Sequence, residues 1–96
     1  MRRGDRPWTA PELWALASSI EVAAAHGQQR KAACARAALL TRRSAVAVDH
    51  MIRRRRYWRK GRWDYRRIRC DVVAFQRAAL RTQGESRDGT QGSAGA

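Results

Sequence analysis

Thr41-Arg42-Arg43-Ser44-Ala45-Val46-Ala47-Val48-Asp49-His50-Met51-Ile52-Arg53-Arg54-Arg55-Arg56 holds a helix start, an amphipathic helix and a run of four arginines in one unbroken segment. Ser44 is a residue type that caps helix N-termini, its hydroxyl accepting an otherwise unpaired backbone N–H. Ala45, Val48, Met51 and Ile52 then recur at the three- and four-residue spacing of one helical face, which predicts a helix over 44–58 with that face in the core. Val46, Ala47, His50, Arg53, Arg54 and Tyr57 fall on the opposite, outward side. Residues 41 to 69 carry twelve arginines and lysines against two acids, Asp49 and Asp64, so ten of the formal +13 charges lie in under a third of the chain. An excess of that density on a folded helix calls for a polyanion.

Toward the N-terminus, Gln28 to Leu40 reads as a second helix with Ala33, Ala37 and Leu40 inward and Arg30, Lys31 and Arg36 outward. The break at Thr41-Arg42-Arg43 is short, and two helices joined so tightly form a helix-turn-helix unit whose second helix enters the DNA major groove. Further back, Trp8-Thr9-Ala10-Pro11-Glu12-Leu13 is a helix-start signature: Thr9 as N-cap, Glu12 closing a capping box, and Trp8 set to staple against Leu13. Helix 1 is predicted over about 10–25, with Leu13, Leu16, Ala17, Ile20 and Ala24 as its apolar stripe and His26-Gly27 as its stop. Residues 1–7, MRRGDRP, read as a flexible basic arm.

Toward the C-terminus, Gly61 interrupts the basic run and Asp64 caps a fourth helix over 64–82. Tyr65, Ile68, Val72, Phe75 and Ala79 make a heptad-like seam along it, which needs a partner, either the rest of the chain by packing or a second copy by dimerisation. The stretch QGESRDGTQGSAGA at 83–96 lacks large apolar groups and is expected as a disordered tail. The fold class is therefore all-α: a three-helix unit over 8–60, an additional C-terminal helix, and two flanking tails.

Ninety-six residues allow one small domain. Of its 42 apolar residues 18 are alanine, which leaves 24 larger groups, enough for a compact helical core and too few for a large ligand cavity. Cys34 and Cys70 stand apart from each other and from His26 and His50, so no metal site is expected and both thiols are read as small buried apolar groups. No pair of acids, Ser/His/Asp set or phosphate-binding glycine loop is found, with Gly27, Gly61 and Gly84 isolated, so the chain is expected to be no enzyme and to need no cofactor. Arg2-Arg3 is followed by Pro7, Trp8 and Glu12 instead of the apolar run of a twin-arginine signal. No stretch approaches the roughly 20 apolar residues that span a bilayer. A cytoplasmic, nucleoid-associated protein is expected.

The order of motifs resembles the Myb/SANT-like family of three-helix DNA-binding domains, through Trp8-Thr9-x-x-Glu12 opening helix 1, Leu16 on its apolar face, and Arg43-Ser44 opening helix 3 with Val48 and Ile52 behind it. It is also similar to bacterial cell-cycle regulators whose N-terminal helix-turn-helix opens with Trp-Thr. The resemblance covers about residues 8 to 56 and implies a three-helix helix-turn-helix bundle. It places base contacts on positions that here are Val46, Asp49 and His50.

The residues themselves put His50 and Arg53 on base edges and Val46 or Ala47 against a thymine methyl, and the resemblance adds Asp49 to this base-reading set. Phosphate contacts are assigned to Arg42, Arg43, Arg54, Arg55, Arg56, Arg59, Lys60 and Arg62. Arg2, Arg3 and Arg6 form an arm for the minor groove. The function expected is duplex DNA binding by a small bacterial or phage transcription regulator, with a possible homodimer through helix 64–82. Two rivals remain: a phage packaging or RNA- and single-strand-binding protein that stacks bases on Tyr57, Trp58 and Trp63, and an adaptor that lays the basic helix on an acidic protein surface.

Overall fold

A computed structural model describes residues 7–94, with side chains through Thr82. The chain is mostly helical, as expected: α1 Ala10–Ala25, α2 Arg30–Thr41, α3 Ala45–Arg54 and α4 Tyr65–Ala94, with a two-stranded antiparallel hairpin of β1 Trp58–Arg59 and β2 Arg62–Trp63 between α3 and α4. The arm residues Arg2, Arg3 and Arg6 lie outside the described residues.

Local chemistry starts each helix. The Thr9 hydroxyl accepts the Glu12 N–H at 3.3 Å while the Glu12 carboxylate accepts the Thr9 N–H at 3.0 Å, closing the capping box of α1. Ser44 Oγ accepts the Ala47 N–H at 3.1 Å at the head of α3, and Asp64 Oδ1 accepts the Arg67 N–H at 3.1 Å at the head of α4. Each cap satisfies a donor that the first turn leaves without an intrahelical acceptor.

The end of α1 falls where expected, and that of α3 does not. At α1, Gly27 takes φ +68° and the N–H groups of Gly27 and Gln28 close on the carbonyls of Ala24 and Ala23, a Schellman stop. The same closure ends α3, but with Arg56 at φ 61° in the glycine position, the Arg56 N–H on Arg53 O and the Tyr57 N–H on Ile52 O. Helix 3 therefore stops at Arg54, short of the predicted 58, and the chain folds back beneath it. Tyr57, expected on the outward face, is instead fully buried in the core. The left-handed conformation costs a residue with a Cβ about 1 kcal/mol that glycine avoids. Arg56→Gly is therefore expected to raise the unfolding free energy by about 0.5–1 kcal/mol, read as an upward shift of the urea midpoint with an unchanged slope.

The hairpin lies where the sequence reading has only a glycine break. Lys60 (φ 52°) and Gly61 (φ 78°) both take positive φ, the requirement of the two-residue turn whose twist suits a hairpin. Trp58 pairs with Trp63 across the strands, their rings meeting edge to face at 4.7 Å, and Trp63 Nε1 donates to the Gln28 carbonyl at 2.7 Å. The hairpin is thus fastened to the α1–α2 turn.

The core comprises Leu16, Ala17, Ile20 and Ala23 of α1, Ala33, Cys34 and Ala37 of α2, Val48 and Ile52 of α3, Tyr57, and Ile68 and Val72 of α4. Each fully buried Leu or Ile contributes about 1.5–3 kcal/mol by leaving water. Leu40, expected inward, is 57% exposed, because α2 buries the row Ala33, Ala37 and Thr41, with Cys34 beside it, and Leu40 lies about 75° from the centre of that face. Ala45 also departs from expectation: it is exposed although the seven-residue spacing aligns it with Ile52. The α4 seam packs inside the chain against α1: Ile68, Val72 and Ala79 are buried and Phe75 is partly so, while Tyr65 stays exposed. The backbone of α4 continues helically to Ala94, through the stretch expected as a tail. Extending an existing helix needs no new nucleation, although Gly84, Gly89 and Gly92 each cost it about 1 kcal/mol relative to alanine.

Candidate nucleic-acid interface

The α2–α3 connection is three residues long, and Arg42 turns it with φ 57° while its N–H reaches Ala38 O. Val48 and Ile52 anchor α3 from behind, so the opposite side is presented outward: Val46 is 79% exposed, and His50, Arg53 and Arg54 are exposed as expected. Ala47 is only half exposed.

Asp49 departs from its expected role as a base reader. Its carboxylate pairs with Arg30 at 3.4 Å and with Arg53 at 3.1 Å, and the Cys34 thiol donates to it at 3.8 Å. It fastens α3 to α2 and steadies Arg53, whose side chain remains 65% exposed. Burial pushes the Cys34 thiol above its ordinary pKa and the nearby Asp49 charge adds to the rise, so this sulfur stays protonated and inert. Cys70, expected to be buried, is exposed on α4.

Two of the expected phosphate ligands are committed to their own chain. Arg43, its side chain 3% exposed, donates from Nε to Glu12 Oε2 at 2.9 Å and from Nη2 to Glu12 Oε1 at 3.0 Å and the Pro7 carbonyl at 2.8 Å, and its guanidinium lies 4.3 Å over the Trp8 ring. Trp8, expected to staple onto Leu13, packs against the core and supplies this aromatic floor. Arg55 donates to Asp71 Oδ2 at 2.9 Å and sits 4.9 Å over the Phe75 ring, while the Tyr57 hydroxyl donates to the same Asp71 oxygen at 2.7 Å. Arg43 is held inward, and Arg55, its side chain 38% exposed, is turned onto its acid, because a partly buried carboxylate on α1 or α4 would otherwise have no counter-charge.

Acids and cations can be matched directly. Among the residues with described side chains, Glu12 takes Arg43, Glu21 takes Arg69, Asp49 takes Arg30 and Arg53, Asp71 takes Arg55, and Asp64 caps α4. Arg42, Arg54, Arg56, Arg59, Lys60, Arg62, Arg66 and Arg67 make no ion pair among the described residues, and all eight are exposed. They follow one another from the α2–α3 turn through the end of α3 and the hairpin to the first turn of α4. Arg66 and Arg67 are missing from the expected phosphate set because the sequence places them in a packing helix; their adjacency to the Asp64 cap is the signal that puts them at its start. Arg59 and Arg62 face each other across the hairpin, a like-charge pairing that destabilises a sheet unless an anion intervenes.

Among the described residues no group of three or more His, Cys, Asp and Glu side chains is placed to hold a metal ion, and no helix is long and apolar enough to cross a membrane. Compared with family models, curated proteins and solved structures, the chain matches none of them.

Proposed function

We propose that this chain is a double-stranded DNA-binding protein of the small transcription-regulator type, in which α2, the Arg42 turn and α3 form a helix-turn-helix and α3 lies in the major groove. The reading assigns it no catalytic step and no cofactor, and places it with the nucleoid in the cytoplasm. The observation that carries it is the run of eight exposed cations, without an ion pair among the described residues, around an outward face of Val46, His50 and Arg53. Groups so placed repel one another in the free protein and gain when a polyanion releases its counterions.

The aromatic residues favour duplex over single strand. Tyr57 is buried and bonded to Asp71, and Trp58 and Trp63 pack on each other, so the side chains that would receive unpaired bases are occupied within the fold. A homodimer through α4 is disfavoured in the same way, because the seam that would form it is covered by α1.

Selection from a random duplex library, with competition by single-stranded and RNA probes, tests the reading. With about five to eight phosphates neutralised, log K is expected to fall against log salt with a slope of roughly −5 to −7. A flat profile refutes duplex binding. Arg53→Ala is expected to relax specificity at one base position by about 1–3 kcal/mol, whereas Arg54→Ala weakens all duplexes alike and reduces the slope by about 1. Retention of an acidic protein partner by the Arg53→Ala/Arg54→Ala variant, with duplex binding absent throughout, identifies an adaptor instead.

A further inference from the structure

The turn after α3, the hairpin and the start of α4 enclose an open cleft of about 300 Å³ lined by Arg56, Arg59, Asp64, Arg66, Arg67 and Cys70. Four guanidinium-bearing residues from three separate segments converge there against a single acid, and that acid's Oδ1 is occupied by the Arg67 N–H. Binding clefts for small organic ligands are lined mainly by apolar and aromatic groups. Here the lining is cationic, and planar arginine forks match the oxygens of a phosphate.

Backbone conformation supplies a second observation. Arg56, which lines the cleft, holds a left-handed φ of 61° at a helix stop where glycine is the favoured residue. A residue with a Cβ is strained in that conformation, and such strain clusters at ligand-binding sites.

We propose that this cleft is a phosphodiester site, and that the first turn of α4 is a DNA-contacting element in addition to a packing one. The inference rests on the duplex-binding reading and extends it to Arg66 and Arg67. Four positions along from His50 lies Arg54, the last residue of α3, a rise of about 6 Å along the helix, and Arg56 sits in the turn that follows. The major groove is about 12 Å wide, so a helix that reads bases near His50 brings its C-terminal end to the flanking sugar-phosphate strand. The cleft opens at that end, and it receives one strand's backbone while α3 occupies the groove.

The test is the salt dependence of duplex binding by the full chain and three variants. Arg66→Gln/Arg67→Gln is expected to flatten the slope of log K against log salt by about 2, since each lost phosphate contact removes about 0.9. Arg56→Gly is expected to flatten it by about 1 while raising the melting temperature, a combination that a purely structural arginine does not produce. Arg77→Gln/Arg81→Gln, which removes two exposed charges further along the same helix, is expected to change the slope by less than half as much as Arg66→Gln/Arg67→Gln. Wild-type binding with an unchanged slope in Arg66→Gln/Arg67→Gln, or an equal loss in Arg77→Gln/Arg81→Gln, overturns the cleft and leaves duplex recognition by α3 standing. Failure of the wild type to bind duplex at low salt overturns both.

Discussion

Tyr57→Ala is expected to lower the unfolding free energy by about 4 kcal/mol, within the 3–5 kcal/mol range for removing a buried aromatic ring. Tyr57 is the largest fully buried side chain, packed in the cluster of Leu16, Ile20, Val48, Ile52 and Ile68 where α1, α3 and α4 meet. Alanine leaves a cavity at that junction and removes a donor from the carboxylate of Asp71, which is 8% exposed. Domains of this size are stable by roughly 5–15 kcal/mol, so the variant sits near the edge of folding, with a melting temperature about 15–30 °C lower. Tyr57→Phe keeps the ring and loses only the hydroxyl bond, at about 1–2 kcal/mol, since Arg55 still pairs Asp71. Urea titration of both variants separates the two contributions, and equal losses in the two would show that the ring is not the keystone of the core. Burial first, and then the bond to Asp71, push the Tyr57 phenol above its ordinary value of 10.0. The folded state therefore favours the neutral phenol: this stabilisation is complete below pH 10 and is lost as pH rises beyond it. Stability should fall more steeply at alkaline pH in the wild type than in Tyr57→Phe.

Helix starts were legible in the sequence because their chemistry is local. Thr9 with Glu12, Ser44, and Asp64 each act within three residues, and each predicted cap is a hydrogen bond in the structure. Helix ends were legible where a local signal marks them: Gly27 announces the stop of α1, and the Ser44 cap that follows so closely sets the end of α2 to within a residue. No such signal marks α3, which stops at a turn made by Arg56, a residue that ordinarily continues a helix. The reversal at Arg56 is imposed by tertiary structure, through the Ile52–Tyr57 closure and the hairpin fastened by Trp63. This explains the misplacement of Tyr57: carried onward as helix it lies outward, and turned back by Arg56 it fills the core. The Leu40 error has a different origin, since the apolar pattern of an alanine-rich helix is shallow and small residues admit closer packing than leucine does.

Within the candidate interface, the outward face of α3 follows from spacing alone, because Val48 and Ile52 fix it. Which arginines are available does not. Charge counting treats Arg43 and Arg55 like Arg54 and Arg56, yet the first two answer acids 31 and 16 residues away in sequence. Only tertiary contact separates a cation that holds the fold from one that faces solvent. The same contact pairs Asp49 with Arg30 and Arg53 and brings Arg66 and Arg67 beside Arg56 and Arg59.

Arg43→Met makes that distinction measurable. The substitution retains most of the apolar stem but removes the fork that grips both Glu12 oxygens and the Pro7 carbonyl and lies on Trp8. Breaking a buried pair costs about 3–5 kcal/mol because the remaining charge loses its compensation. The Glu12 side chain is 20% exposed and regains some water, so the expected loss is smaller, about 2–3 kcal/mol, read by thermal or urea unfolding. The hydrogen bond from Arg43 is the main reason the Glu12 pKa falls from 4.5 to about 2, with the Thr9 bonds assisting and partial burial opposing. A carboxylate whose folded pKa is depressed stabilises fully above its unfolded value and loses that contribution as pH falls through the folded one. The wild type should therefore lose stability between about pH 4.5 and 2, and Arg43→Met should lose markedly less over the same window. Glu12→Gln completes a double-mutant cycle, with an expected coupling of about 1–3 kcal/mol between the two positions. If Arg43→Met instead melts like the wild type and weakens duplex binding while flattening the salt slope by about 1, Arg43 is the phosphate ligand that its place in the basic run suggests, and the Glu12 pair contributes little to the fold.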